Sequence, residues 1–228
     1  MKISRIKISL TTFHAVIIVA VLVFVANATS QAATLTYENI TNNSLVQLSD
    51  QLSTDVNAVG TTGVEFTFKN NINIGVESSI TDIYFDLGSN TNLFTALSIS
   101  EQSSGVSFDL SPRPKNLPSG KNINFYSDFG GDSTSPRTSA NGVNAASEYI
   151  TFLATLGSGF SYKDAMAAIF EGSLRLGMHI QAIAGGGAED SDSYVNVSKV
   201  PVPAAAWLFG TALFGFFVTT SRRKKTHK

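Results

Sequence analysis

Apolar and polar residues alternate with period two along the middle of this chain, the spacing of strands that bury one face. Val64, Phe66 and Phe68 alternate with Glu65, Thr67 and Lys69, and Ile83, Phe85 and Leu87 share one side of Ile80–Leu87 with Asp82, Tyr84 and Asp86 on the other. Leu174, Leu176, Met178 and Ile180 line one face of a further strand, leaving Arg175, His179 and Gln181 opposite. Phe94–Ile99, Val106–Leu110, Ile123–Tyr126 and Tyr149–Leu156 are shorter candidates, separated by clusters of Gly, Pro, Ser and Asn. One segment breaks the period. Ser161-Tyr162-Lys163-Asp164 has the spacing of a capping box, a helix follows through Phe170, and Gly172 ends it. Ser111–Pro118 and the Gly/Ser/Thr-rich Gly130–Gly142 read as long exposed loops. Many short strands with turn signals and one helix predict a mainly β fold, an antiparallel β-sandwich with one short helix.

The two ends follow different rules. Lys2, Arg5 and Lys7 precede an apolar run from Ala15 to Ala26, and Ala26-Asn27-Ala28 and Ser30-Gln31-Ala32 are two small-residue cleavage sites. This reads as a secretory signal peptide over residues 1–32, the alternative being an uncleaved anchor. At the other end, Ala204 to Thr220 is 17 residues without a charged side chain, the short edge of what crosses a bilayer as a helix. Gly210 and Gly215 lack G-x-x-x-G spacing, so no packed helix pair is indicated. Trp207 suits one interface, and Arg222, Arg223, Lys224 and Lys225 fix the other end in the cytoplasm. Pro201 and Pro203 hold the chain extended just before the span. The residues alone leave two readings of that segment, a processing signal or a plain C-terminal anchor.

Val200, Pro201, Val202, Pro203, Ala204 and Ala205, with the apolar span and basic cluster behind them, resemble the PEP-CTERM sorting domain. The variant is the one with an aliphatic residue, here Val202, where the strict motif has Glu. The resemblance covers residues 200–228. It implies export by the secretion machinery of a Gram-negative bacterium that makes exopolysaccharide. It also implies an inner-membrane helix before processing, and an exosortase that recognises the Pro-x-Pro region. The processed protein would then lie at the cell surface or in the extracellular matrix. Residues 160–196, above all Gly172–Gln181 and Ser191–Asn196, resemble a C-terminal block of other proteins with this sorting domain whose activity is unassigned.

Residues 33–199 are then a single extracytoplasmic domain, long enough for a real core. All 17 acidic residues of the chain lie in it against eight basic ones, so its formal charge is −9 although the whole chain carries −1. Such a surface repels nucleic acid, and anionic polymers too unless cations bridge them. With no cysteine, stability must come from packing.

Candidate chemistry is sparse. His179 is the only histidine of this domain, which excludes a multi-His metal site; without a G-x-S-x-G elbow it reads as a plain exposed strand residue. Asp82 and Asp86 flank Tyr84 and would pair as glycosidase carboxylates, but read better as solvated face residues. Gly185-Gly186-Gly187 runs into Glu189, Asp190 and Asp192, which would repel a phosphate. Those three acids offer oxygen ligands to Ca²⁺ without the D-x-D-x-D-G spacing, and read as a flexible acidic loop. The sole Trp lies in the apolar span, so sugar stacking would fall to tyrosines such as Tyr84, Tyr126 and Tyr194.

No catalytic residue, cofactor or metal is therefore assigned. The expectation is an exported envelope or matrix protein, structural or adhesive in an exopolysaccharide or biofilm layer. A carbohydrate-binding module is the alternative, with a secreted glycan-acting enzyme behind it. N-terminal sequencing of the secreted form should return Thr29 or Ala33; finding Met1 would overturn the signal peptide.

Overall fold

The alternating segments pair into two antiparallel sheets that face each other across one core. The computed structural model describes residues 32–111, 115–136, 138–185 and 190–198. The first sheet has the order β1 (Ala33–Leu35), β3 (Leu52–Val59), β4 (Gly63–Asn70), β9 (Tyr149–Leu156), β6 (Phe94–Gln102). The second has β2 (Tyr37–Asn39), β11 (Asp192–Asn196), β10 (Arg175–Gln181), β5 (Ser79–Asp86), β8 (Phe129–Ser133), β7 (Phe108–Ser111). Among the described residues, two helices, α1 (Thr138–Asn141) and α2 (Tyr162–Glu171), and three short 3₁₀ turns complete the regular elements. Only Thr36 separates β1 from β2, so the first strands step directly from one sheet to the other. The predicted signal peptide up to residue 31, Val200–Ala205, and Arg222–Lys225 lie outside the described residues.

Phenylalanines join the two layers. Phe85 of β5 meets Phe66 and Phe68 of β4 and Phe152 of β9 at ring-centroid distances of 5.2, 6.0 and 5.8 Å, all edge to face. Phe66 adds Phe94 at 5.9 Å, and all five rings are buried. Edge-to-face pairs are worth about 0.5–1.5 kcal/mol each beyond the apolar area they bury. At one end of the core a polar knot replaces apolar packing. Gln51 donates to Asn70 Oδ1 and Ser78 Oγ at 2.7 and 2.9 Å, and its own Oε1 accepts from Val76 N–H at 2.9 Å. Each of these buried polar groups is thereby satisfied.

Helix α2 forms for the reasons its sequence implies. Ser161 N–H donates to Asp164 Oδ2 at 2.7 Å, and Gly172 takes a left-handed φ of 76° that returns its N–H to the last-turn carbonyls. Ala165, Met166, Ala168 and Ile169 pack inward, and Tyr162 OH donates to the Val56 carbonyl at 3.1 Å.

Several expectations are corrected. Strands β1, β2, β3 and β11 were not foreseen. In β3 the inward positions include Thr54, whose hydroxyl is buried against Tyr37 OH at 2.6 Å, so the apolar alternation is diluted. The expected loop Gly130–Gly142 contains most of β8 as well as α1. Gly131 is required there, since a Cβ would meet Phe152 Cζ at 2.8 Å. The expected strand Ile123–Tyr126 instead leaves a 3₁₀ turn, Gly120–Ile123, through a left-handed Asn124. The Ser111–Pro118 loop begins as the end of β7, and its Leu117 is buried. Replacing Phe85 with Ala should destabilise the protein by about 3–5 kcal/mol in urea unfolding. A loss under about 1 kcal/mol would show that the ring cluster does not hold the sheets together.

Candidate functional site

Directly opposed residues of an antiparallel pair share a face, so strand register sorts the outer side of the second sheet into rows. Ser193, His179, Asp82, Asp132 and Asp109 form one row across β11, β10, β5, β8 and β7. Val195, Gly177, Tyr84, Gly130 and Ser111 form the next, and Arg175 opposes Asp86 in a third.

The third row is an anchor. Arg175 grips the Asp86 carboxylate through Nε, at 3.1 Å, and through Nη2. The same guanidinium donates to the Ile123 carbonyl at 2.9 Å and to that of Asn124, and lies 5.3 Å above the Phe125 ring. Asp86 is 2% exposed, which corrects the expectation of a solvated carboxylate. A buried carboxylate requires such a partner. Arg175 thus pulls the 120–125 segment onto the sheet, where Phe125 and Leu117 cover Tyr84 and Val195 in a small second core. Gly177 makes the close approach possible, because a Cβ there would meet Leu117 Cδ2 at 2.9 Å and Phe125 Cζ at 3.0 Å. Tyr84 is buried instead of displayed; burial, then the charges of Asp82 and Asp132, push its hydroxyl above the ordinary tyrosine range.

The first row stays closer to solvent. His179 Nδ1 lies 2.9 Å from Asp82 Oδ2, which also accepts from Thr81 Oγ1 at 2.7 Å. The His179 side chain is 14% exposed, so the free strand histidine is corrected to a half-sheltered residue fastened to a carboxylate. Across the pair, Asp132 is pushed above the usual carboxylate range by burial and then by the charge and hydrogen bond of Asp82; Ser111 and Lys115 oppose the shift. Ser193, His179 and Asp82 stand in the order of nucleophile, base and orienting acid. Ser193, however, is fully buried, and its Oγ makes no hydrogen bond. A nucleophile sealed from solvent with no base on its oxygen is not activated. Among the described residues no three His, Asp or Glu side chains gather as a metal site.

The remaining candidates are also absorbed by the fold. Asp192 is fully buried and accepts from Thr41 Oγ1 and Asn43 N–H, both at 2.7 Å, and from Ser44 N–H at 3.1 Å. It latches a turn and is not free for Ca²⁺; Asp190 is exposed, and Glu189 lies outside the described residues. Tyr194 is buried, its OH accepting from Leu48 N–H at 3.1 Å and Asn39 Nδ2 at 3.2 Å. Of the three tyrosines considered for sugar stacking, only Tyr126, at 54%, is exposed. Sequence reasoning missed a groove of about 620 Å³ beside α2, lined by Tyr162, Met166, Ala167 and Phe170, with Lys163, Glu171 and Ser198 at its margins. The signal for it was the i, i+4, i+8 spacing of Tyr162, Met166 and Phe170.

No family model matches the chain, and no curated protein or solved structure matches it either.

The Asp82–Asp132 pair gives a signed expectation. A carboxyl whose folded-state pKa is raised adds stability at low pH and loses it as pH rises through that value. Asp132→Asn should therefore raise the melting temperature at pH 7, with the gain shrinking as pH falls toward about 4, where Asp132 takes up its proton in the unfolded chain as well. Thermal unfolding at pH 7 and 3.5 checks this, and a loss of stability at pH 7 would refute the repulsion.

Proposed function

We propose that this chain is an exported β-sandwich protein, sorted by an exosortase and serving as a structural or adhesive part of an exopolysaccharide layer. The order of segments along the chain carries the reading. A basic and apolar leader precedes an acidic β-rich body, and a Pro-x-Pro motif, a 17-residue apolar span and four consecutive basic residues follow. A structural role is supported by how the body uses its reactive side chains. His179 is tied to Asp82, Asp86 to Arg175, and Asp192 to the Thr41–Ser44 turn, each bond fastening one part of the fold to another. The body's charge of −9 suits a solvated matrix protein and directs any contact with acidic polysaccharide through bridging cations.

In this reading the basic cluster keeps the tail in the cytoplasm while the apolar span stops transfer, leaving Pro201 and Pro203 at the outer boundary of the membrane. Replacing both prolines with Ala keeps the span, so insertion should survive while processing fails. The double variant should accumulate in the inner membrane with its tail attached, heavier than the wild-type product on a gel. Release at the wild-type rate would make the prolines mere spacers and the segment an ordinary anchor.

A further inference from the structure

The groove beside α2 is apolar along its floor and ends at Ser198, the last described residue before Lys199. We propose that it seats the chain's own Lys199–Pro203, holding the Pro201/Pro203 motif against the body until the processing enzyme draws it out.

Four observations converge on that occupant. The first is entry: Ser198 already lies on the C-terminal cap of α2, where a Cβ on Gly172 would meet its Oγ at 2.7 Å. The second is length. From Tyr162 to Glu171 the helix rises about 14 Å at about 1.5 Å per residue. An extended proline-rich segment of five residues covers about 15 Å at about 3.1 Å per residue. Lys199–Pro203 is therefore long enough to follow the helix from its last turn to its first.

The third is chemistry. Prolines hold the backbone extended without internal hydrogen bonds, so Val200 and Val202 reach the Met166, Ala167 and Phe170 floor with little ordering cost. The fourth is charge. Lys199 follows Ser198 where Glu171 and the C-terminal carbonyls of α2 favour a cation.

Laid this way, the segment runs antiparallel to α2 and delivers Ala204 beside Phe160, a large apolar side chain 37% exposed at the start of the helix. The docking stands on the groove alone. Its effect on processing, which is to limit access to the motif, rests on the export reading above.

The chain has no cysteine, so an introduced pair reports without background. Full-length chain carrying Lys163→Cys and Val202→Cys, made in cells without an exosortase, should close an intramolecular disulfide under mild oxidation. It should do so at least about tenfold faster than the pair Asp50→Cys and Val202→Cys, because docking raises the effective concentration of the thiols. Equal rates would overturn the docking. Both positions avoid the core, Lys163 being exposed and Val202 lying beyond the body, and near-ultraviolet circular dichroism verifies that each variant is folded.

In cells with an exosortase, Ala167→Arg, which places a bulky cation in the groove, should raise the rate of tail removal severalfold. An unchanged rate would overturn the gating. A fast Lys163–Val202 disulfide together with a wild-type tail that stays attached even in cells with an exosortase would instead overturn the export reading and leave the docking in place.

Discussion

The position of one ring governs this molecule. Phe85 projects from β5 into the space between the sheets, where Phe66, Phe68 and Phe152 meet it edge to face. With no cysteine to staple the layers, that interlock fixes how one sheet lies on the other. Strand register follows from it, because a slip of one residue would turn Phe85 outward and bring Tyr84 or Asp86 into the core. Neighbouring choices serve the same ring set. Gly131 is bare so that Phe152 can lie over β8, and the small Ala154 leaves room beside it in the same core.

The consequence for β5 is unusual for an antiparallel strand, since most of its outer face is covered too, with Asp82 left partly exposed. Residues 115–128 lie over its outer side, held by the Arg175 guanidinium against the backbone and by Asp128, which accepts from Leu87 N–H at 2.7 Å. One arginine thus neutralises a buried carboxylate, satisfies two carbonyls and supports a phenyl ring. The mixed second core of Tyr84, Leu117, Phe125 and Val195 depends on that arrangement, so polar contacts order an apolar cluster.

This explains what could and could not be read along the chain. Strands β4, β5, β9 and β10 announced themselves because their inward residues are large and apolar at period two. Strand β3 did not, since its inward set is short, Leu52, Thr54 and Val56 with a hydroxyl at its centre, and β8 did not, since Gly130 and Gly131 resemble a loop when their neighbours are unknown. The outer face of β5 and β10 was misjudged for a different reason. Alternation tells which residues face away from the core but not what meets them there: Asp86 and Tyr84 look solvated until Arg175 and Phe125 are placed, and His179 until it is set against Asp82. The α2 groove was hidden in the same way, because its far margin is Ser198, distant in sequence from the helix. The Pro201–Pro203 segment and the basic cluster at Arg222–Lys225 are read from sequence alone, for their pattern is one of composition and order.

The step from β1 to β2 bears on timing. Tyr37 pairs with Asn196, and Asn39 with Tyr194, so the opening segment of the body finds its neighbour only in the closing strand. Contacts of such long separation form late, after the intervening chain has been confined. The second sheet therefore cannot be sealed until β11 is in place, so the body closes on its own first strands only when nearly all of it has been made. The first and last strands of the body thus become ordered in a single late event.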